Sequence, residues 1–379
     1  MVAEAAVLRA GTAPFIQEAL AEHAVDALWI DASVNLRYLT GLDLLALERP
    51  CGMLIPARGE ARMLVPLLLR PETADLPVEQ VVWADHEGHE RALASLLAGL
   101  RRCYVQPALP VWVCRSMRAV RPGLEVEVDP GIMSALRARK RPDELERLRH
   151  AARLADETAA WIGSLRLDGY TERRLETEIA IRFLRAQAGT YGYIVASGAN
   201  AARPHHVSGD TPIAADRPLL ADFGCVVEGY HSDITRMYFP SELESEVAEA
   251  YAIVCAAHDA VLAMLRPGVT CGEADRAARN VIEAAGYGDR FLSRTGHGIG
   301  LDIHEPPYLQ SGSTRALEAG HVFSVEPSIA VAGSFGVRYE NLVHLGHDGP
   351  ELLNGAARFH SLHAGPPADV GEDANEEAS

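Results

Sequence analysis

The stretch Ala221–Phe239, ADFGCVVEGYHSDITRMYF, and its later counterpart Phe323–Leu345, FSVEPSIAVAGSFGVRYENLVHL, decide the predicted fold. Each contains two runs of β-branched and aromatic residues around a glycine-bearing turn, which is the pattern of a β-hairpin. Each also carries two carboxylates inside its apolar strands. The sequence therefore predicts two hairpins that each present a pair of acids.

In the first hairpin, Asp222 and Asp233 are predicted to face each other across a turn at Val227 and Glu228. Directly opposite residues of paired strands have their side chains on one face of the sheet, within roughly 5 Å of each other. Two like charges held that close repel strongly unless a positive group lies between them. A cation is therefore expected beside this pair.

The second hairpin repeats the arrangement, because Glu326 and Glu340 lie symmetrically about Gly333. A single pair of acids is more often a solvated surface feature. The recurrence of the pair, and the position of all four acids within apolar strands, favours bound cations over that alternative.

The segment Thr295–Pro307, TGHGIGLDIHEPP, adds two imidazoles. Glycines on both sides of His297 free the backbone to bring its ring close to the acids, so we expect it to be a fifth ligand. His304 precedes a double proline that stiffens its loop. We interpret it as a ligand, a proton donor or a packed side chain.

Four carboxylates and one imidazole carry about the charge that balances two divalent cations. Because most of these ligands are oxygens, they favour Mn²⁺, with Co²⁺ or Zn²⁺ as alternatives. Two such ions about 3.5–4 Å apart can share a water, lower its pKa and polarise an attacked carbonyl. The residues alone thus predict a hydrolase with a pair of metal ions.

Helices precede each hairpin, so the region from 143 to 345 is predicted as helix, helix, hairpin, twice over. A stripe of apolar residues between Leu145 and Ile162 predicts a long amphipathic helix, and Thr171–Ala188 a second one that stops at a glycine. In the repeat, capping-box patterns that begin at Ser241 and Thr270 predict the two helix starts.

The fold class is α/β (α+β), and three segments are predicted. Residues 1–139 alternate six short strands with helices and form a smaller α/β domain for scaffolding or dimerisation. Residues 140–358 form the domain with the hairpins, and residues 359–379, rich in acids, Pro, Gly and Ala, form a disordered tail. The expected strands are Ala27–Asp31, Gly52–Pro56, Arg62–Pro66, Gln80–Ala84, Cys103–Gln106 and Leu124–Val128.

The amino-acid composition indicates which binding partners and which cellular compartment to expect. The 379 residues carry a formal net charge of −17, which argues against nucleic acid or an anionic membrane as a partner. The longest apolar candidate for a membrane span, near Met63–Leu69, is interrupted by a proline, and the N-terminus lacks the pattern of a signal peptide. The six cysteines have no CxxC spacing and are interpreted as reduced, packed thiols. We therefore expect a cytoplasmic protein.

These motifs together resemble the pita-bread metallopeptidases, which include methionine aminopeptidase, aminopeptidase P, prolidase and the metal-free creatinase. The resemblance covers residues from about 140 to 350 and fills all five metal-ligand positions with the expected residue types. It is carried by DFG at 222–224, GYHSDITR at 229–236, GHGIGLDIHEPP at 296–307, VEP at 325–327 and VRYEN at 337–341.

The resemblance implies which residue holds which ion. Asp222 and Asp233 would hold one metal, and Asp233 and Glu340 would bridge it to the other. His297 and Glu326 would complete the shell of the second ion. The predicted pita-bread domain is thus built from two helix–helix–hairpin halves around a dinuclear centre.

The resemblance also implies catalytic and substrate-binding roles. Glu326 would act as general acid and base, and His304 would polarise the scissile carbonyl or bind the substrate backbone. His205 matches the family's histidine after a proline, with His206 as the adjacent alternative. Arg338, two residues before the last ligand, joins this set and is similar to the arginine of the Xaa-Pro-cleaving branch.

The implied function is hydrolysis of the bond between an N-terminal residue and proline in small peptides, by a homodimeric enzyme. We favour a dipeptidase (prolidase) over an aminopeptidase P that takes longer peptides, since the chain is short for an enzyme with extra domains. A metal-free creatinase-like amidinohydrolase and an inactive peptide- or protein-binding module are the rivals, and both predict a ligand set that is not intact.

Overall fold

The computed structural model describes residue 9 and residues 11–362, and its chain forms two compact units that divide after Arg137. The first unit is built on a six-stranded mixed sheet with the order β4-β3-β2-β1-β5-β6. Its strands are Ala27–Asp31 (β1), Gly52–Pro56 (β2), Arg62–Pro66 (β3), Glu79–Trp83 (β4), Arg102–Val105 (β5) and Glu125–Val128 (β6). The first three match the predicted bounds, and the other three are shifted by one residue at one or both ends.

Six helices accompany this sheet: Thr12–Glu22 (α1), Val34–Thr40 (α2), Arg70–Thr73 (α3), Glu90–Leu96 (α4), Val111–Val120 (α5) and Ile132–Ala138 (α6). One core of the unit includes Trp29, Leu64 and Leu93, which the sheet and α4 bury together. Helix α5 begins directly after Pro110, whose fixed φ suits the position before a helix start.

The first half of the second unit, residues 142–239, contains two helices, three strands of a four-stranded sheet and a separate two-stranded sheet. The helices are Pro142–Ser164 (α7) and Glu172–Arg185 (α8). The strands are Ile194–Ser197 (β7), Leu219–Phe223 (β8), Val226–Val227 (β9), Tyr230–His231 (β10) and Ile234–Phe239 (β11). The apolar stripe predicted from Leu145 to Ile162 is confirmed as the buried face of α7.

The turn of the first hairpin lies one residue later in the chain than predicted, which changes the register of its strands. Val227 pairs with Tyr230, and the turn therefore falls on Glu228 and Gly229, both with positive φ, as a two-residue hairpin turn requires. Asp222 consequently pairs with Thr235 across β8 and β11, not with Asp233. The two aspartates are diagonal neighbours.

The second half, residues 245–345, repeats the order of elements. Its helices are Ser245–Met264 (α9) and Cys271–Ala284 (α10). The capping box of α10 is confirmed, since the Thr270 side chain accepts from the Glu273 backbone and the Glu273 carboxylate accepts from the Thr270 backbone. The one predicted at Ser241 is wrong: α9 starts after Glu244, whose side chain makes no cap, because Ser241 and Glu242 form a bend and Leu243 packs against the core.

The second hairpin has the predicted register. Its strands and their neighbours are Gly296–Gly298 (β12), Glu305–Leu309 (β13), Val322–Val325 (β14), Ser328–Val331 (β15), Phe335–Arg338 (β16), Asn341–Leu345 (β17) and Pro350–Leu352 (β18). Val325 pairs with Asn341, and Ser328 pairs with Arg338. Glu326 and Glu340 therefore lie opposite each other between these pairs, as predicted.

Three residues that the sequence assigns to the tail form a strand instead. Phe359–Ser361 (β19) pairs in parallel with β11, and the Phe359 ring lies 5.8 Å from the ring of Phe239. This aromatic contact gives the segment a buried partner that its composition alone does not reveal. The rest of the predicted tail, residues 363–379, lies outside the described residues.

One described helix, α9, has the length and apolar composition to cross a membrane, and it is longer than the apolar segment near Met63–Leu69. Core helices pass the same test. Val247, Val254 and Val261 of α9 are buried in the core of the second half. We interpret α9 as a core helix.

Gly336 allows two segments of the second unit to approach closely. A Cβ atom built at this position would overlap the carbonyl of Ala201. We expect Gly336→Ala to destabilise the protein by about 1–3 kcal/mol, because backbone must move to make room. Urea unfolding measures this. The matched control is Gly355→Ala, whose Cβ would lie 3.8 Å from Asp156 in ordinary contact. Equal midpoints for the two variants would contradict the prediction.

Candidate metal centre

The five side chains predicted as ligands converge in the second unit. Carboxylate oxygens of Asp222, Asp233 and Glu340 lie within 4.8 Å of one another, and so do ligand atoms of His297, Glu326 and Glu340. Glu340 belongs to both groups. The structure thus brings together acids from both hairpins and the imidazole from the segment between them.

His297 lies in a short strand that fits tightly against its neighbour. A Cβ on the preceding Gly296 would overlap the carbonyl of Ser324, so only glycine allows this approach. The Nδ1 atom of His297 lies 3.1 Å from the carbonyl oxygen of Gly298, and Nε2 lies 3.2 Å from Glu326 Oε1. Burial lowers the pKa of His297 to about 4. The ring is therefore neutral near pH 7, with Nδ1–H donating to the carbonyl and Nε2 directed at the acids, as a metal ligand requires.

The charged forms of Asp233 and Glu340 are unstable where they lie unless a cation neutralises them. Burial, and then repulsion from neighbouring carboxylates, raises the pKa of both well above ordinary values. Oε1 of Glu340 is buried and has no hydrogen-bond partner among the described residues. Divalent cations would neutralise these charges and bind that oxygen, so the residues fit a metal centre.

Arg338 holds two of the acids in position. Its Nη2 donates to a carboxylate oxygen of Asp222, and its Nε donates to Thr235 Oγ1 over 2.9 Å. The Thr235 hydroxyl in turn donates to Glu340 Oε2 over 2.7 Å. These contacts favour a positioning role for Arg338, since its guanidinium is engaged by the acids themselves.

Two further side chains support the same strands. Arg236 is fully buried, stacks on the ring of Tyr339, and donates from Nη1 to the backbone carbonyl of Glu340 over 2.6 Å. The Ser324 hydroxyl donates to Glu326 Oε1 over 3.1 Å and accepts from the backbone N–H of His297. Backbone and side-chain atoms of the predicted ligands are thereby held in place.

A cavity of about 710 Å³ lies over this centre. His205 is exposed and lines it, whereas Nε2 of His206 lies 2.8 Å from a buried carboxylate oxygen of Glu172. The structure therefore places the first of the two candidate histidines at the cavity. His304 also lines it, with its ring centroid 4.0 Å from that of His297. Its side chain is partly exposed, and partial desolvation at the cavity wall lowers the pKa of His304 to about 4.

Several residues around the centre were not predicted as part of the site. They are Thr235, Arg236, Ser324 and Tyr191, whose hydroxyl lies 3.3 Å from Asp233 Oδ1. The signal for Thr235 was the register of the first hairpin, because a turn at Glu228 and Gly229 places this threonine opposite Asp222. Arg236 follows Thr235 in β11 and Ser324 lies in β14; both strands are apolar, and a buried polar residue in such a strand requires a partner.

Comparison with known protein families finds two matches along the chain. A model of Metallopeptidase family M24 matches residues 146–347, and a model of the Creatinase/Prolidase N-terminal domain matches residues 15–138. A relative from Mycobacterium bovis, named probable dipeptidase PepE, is 31% identical over 347 residues. The match spans 89% of this chain and 92% of that relative.

Solved structures share the fold over nearly the whole chain. A recombinant prolidase from Thermococcus sibiricus superposes with a TM-score of 0.87 at 29% identity, covering 93% of this chain and 98% of that chain. Dipeptidase PepE from Mycobacterium ulcerans superposes with a TM-score of 0.87 at 30% identity, covering 93% and 97%. Both similarities include the N-terminal unit as well as the unit that carries the metal centre.

Proposed function

This chain belongs to Metallopeptidase family M24 and is a metallo-exopeptidase, and from that premise we propose that it uses two divalent cations to hydrolyse the bond between an N-terminal residue and proline. The predicted family and the pita-bread fold, with a creatinase-type domain in front, are confirmed by the same matches. Membership of the family implies divalent metal ions.

The observation that carries the dinuclear proposal is the pair of ligand groups that share one glutamate. Asp222 and Asp233 form one side with Glu340, and His297 and Glu326 form the other side with the same residue. One ion would bind on each side, and the carboxylates of Asp233 and Glu340 would serve both ions, as the family resemblance implies; Asp233 also lies in a further group with His297 and His304. The oxygen-rich set supports Mn²⁺, with Co²⁺ or Zn²⁺ as alternatives.

When bound, the two cations supply Lewis-acid polarisation of the scissile carbonyl and lower the pKa of the attacking water. Glu326 takes the proton of that water on a carboxylate oxygen and passes it to the leaving prolyl nitrogen. Ser324 holds this carboxylate by its 3.1 Å hydrogen bond. His304, which is neutral near pH 7, donates an N–H to the carbonyl oxygen, and His205 contacts the peptide backbone at the cavity wall.

The substrate proposal rests on the relatives and on the size of the site. Relatives named dipeptidase and prolidase support small peptides as substrates. A cavity of about 710 Å³ has room for a short peptide. We therefore propose an Xaa-Pro dipeptidase, with aminopeptidase P activity on longer Xaa-Pro peptides as the alternative.

The decisive experiment removes the metal with a chelator and restores it with Mn²⁺. We expect the chelated protein to be inactive, and the restored protein to cleave Ala-Pro faster than Ala-Pro-Ala. Release of alanine measures both rates, and Ala-Leu serves as the control substrate. Faster cleavage of Ala-Leu would overturn the proline preference alone, whereas no cleavage of any of the three with Mn²⁺, Co²⁺ or Zn²⁺ would overturn the proposed activity.

Three other expectations stay predictions. The cytoplasmic location, the homodimer and the catalytic division of labour among the site residues follow from the sequence and from the family resemblance. Size-exclusion chromatography with light scattering measures the oligomeric state directly.

A further inference from the structure

We propose that Arg294 binds the free carboxylate of the substrate's C-terminal residue and thereby restricts the enzyme to dipeptides. This inference rests on the proposed function, and it supplies the cation that a dipeptidase needs beyond its metal centre. Arg294 lies in the loop between α10 and β12, three residues before His297, and it lines the cavity over the metal centre.

The surroundings of Arg294 leave its charge available. Within residues 11–362, the cationic side chains of lysine and arginine that line this cavity are those of Arg294 and Arg338. Arg338 is engaged by Asp222 and Thr235. Arg294 makes no ion pair with a carboxylate within that part of the chain, and its side chain is half-buried. A guanidinium keeps its charge at every working pH and is shaped to bind a carboxylate with two hydrogen bonds.

Tyr308 holds Arg294 on the side of the sheet that faces the centre. The guanidinium carbon of Arg294 lies 4.5 Å from the centre of the Tyr308 ring. Tyr308 pairs directly with His297 across β12 and β13, and directly opposite residues share one face of a sheet. The stacked guanidinium therefore lies on the same face as the imidazole of the centre. Stacking also fixes its orientation before substrate arrives.

The chemistry of the cavity makes such a cation necessary. The scissile carbonyl of a dipeptide and its terminal carboxylate are separated by one residue, about 3.5 Å along the chain. The substrate carboxylate therefore lies close to the centre, where the charges of the acids and of the bound cations already balance each other. A positive group at the cavity wall pairs with this carboxylate and offsets the cost of removing it from water. A longer peptide has a neutral amide at that place and gains nothing from the charge.

The test removes the positive charge from the enzyme and, separately, the negative charge from the substrate. Arg294→Gln and wild-type protein, both loaded with Mn²⁺, are assayed on Ala-Pro and on Ala-Pro amide, which lacks the carboxylate. We expect the variant to lose about 10- to 100-fold in kcat/KM on Ala-Pro, mainly through KM, and less than about threefold on the amide. Arg294→Lys should retain part of the preference, since lysine keeps the charge without the planar fork.

Inhibition by the product supplies a readout that needs no turnover of the carboxylate substrate. L-Proline should inhibit wild-type cleavage of Ala-Pro amide more strongly than L-prolinamide does, and Arg294→Gln should remove this difference. The matched control is Arg290→Gln, which deletes the same charge from an exposed position four residues earlier. It should leave all these values unchanged.

Three results would overturn the proposal. An equal loss on Ala-Pro and its amide would mean that Arg294 acts on the fold or on the metal centre, and an unchanged rate on Ala-Pro would mean that another group holds the carboxylate. If wild-type enzyme prefers Ala-Leu, the proline specificity fails separately, and the same comparison with Ala-Leu and its amide tests Arg294. If the wild type cleaves no dipeptide faster than the corresponding amide, the inference is wrong.

Discussion

Replacing Glu340 with glutamine is expected to abolish peptidase activity while stabilising the metal-free protein. Glu340 is shared by both ligand groups, so its loss removes a ligand from each ion and lowers the rate on the order of 10³-fold or more. The amide has no charge to repel the neighbouring acids. We expect the melting temperature in chelator to rise, by an amount that corresponds to about 1–2 kcal/mol.

The difference in melting temperature between the metal-free wild type and Glu340→Gln should change with pH in one direction. The pKa of Glu340 is raised above its ordinary value of 4.5 by burial and by the neighbouring carboxylates. A carboxyl group whose pKa is higher in the folded than in the unfolded protein stabilises the fold fully below its unfolded pKa. This stabilisation is lost as the pH rises through the folded pKa. The melting temperature of the metal-free wild type should therefore fall from about pH 4.5 upward. That of Glu340→Gln should fall less.

Scanning fluorimetry between pH 5 and pH 8, with chelator or with Mn²⁺, measures both effects. The control is Glu242→Gln, which removes one charge from an exposed acid outside the centre. Mn²⁺ should raise the melting temperature of the wild type and of this control, but not that of Glu340→Gln. An equal rise in all three proteins would contradict the assignment of Glu340 as the shared ligand.

Glu326→Gln is expected to lower kcat by about 10²- to 10⁴-fold while KM changes little, because the variant keeps the shape of the side chain but cannot accept a proton. Burial, opposed by the field of Arg338, raises the pKa of Glu326 in the metal-free centre. Assays at saturating Mn²⁺ on Ala-Pro separate this loss from weaker metal binding.

Titration calorimetry of Mn²⁺ accompanies the kinetics of this variant. Glu326→Asp serves as the comparison, since it keeps a carboxylate but withdraws it from the hydroxyl of Ser324. It should recover part of the rate. A Glu326→Gln enzyme within tenfold of the wild type at saturating Mn²⁺ would refute the proton-transfer role.

The sequence predicts the ligand set because glycine and apolar neighbours constrain it. His297 stands between glycines whose missing side chains permit close strand contact, and the pairing of Glu326 with Glu340 follows from symmetry about Gly333. Short continuous apolar runs likewise give the bounds of β1, β2 and β3. Such features are local, and they do not depend on where distant segments pack.

The residues that hold the ligands in place could not be predicted in the same way, because their positions depend on the register of the strands. A turn placed one residue too early pairs Asp222 with Asp233 and leaves Thr235 without a role. The observed turn, with Glu228 and Gly229 at positive φ, moves Thr235 opposite Asp222 and within reach of Arg338. The choice between the two turns depends on packing, because a Cβ at Gly224 would overlap the Ser232 carbonyl.

The two hairpins that supply the acids belong to different halves of the second unit. Asp222 and Asp233 come with the sheet under α7 and α8, and Glu326 and Glu340 with the strands under α9 and α10. Ions bound between them would act as a cross-link between half-domains, and their binding free energy would count as cohesion between those halves. Loss of the metal ions would then make the folded enzyme unfold sooner as well as abolish its activity.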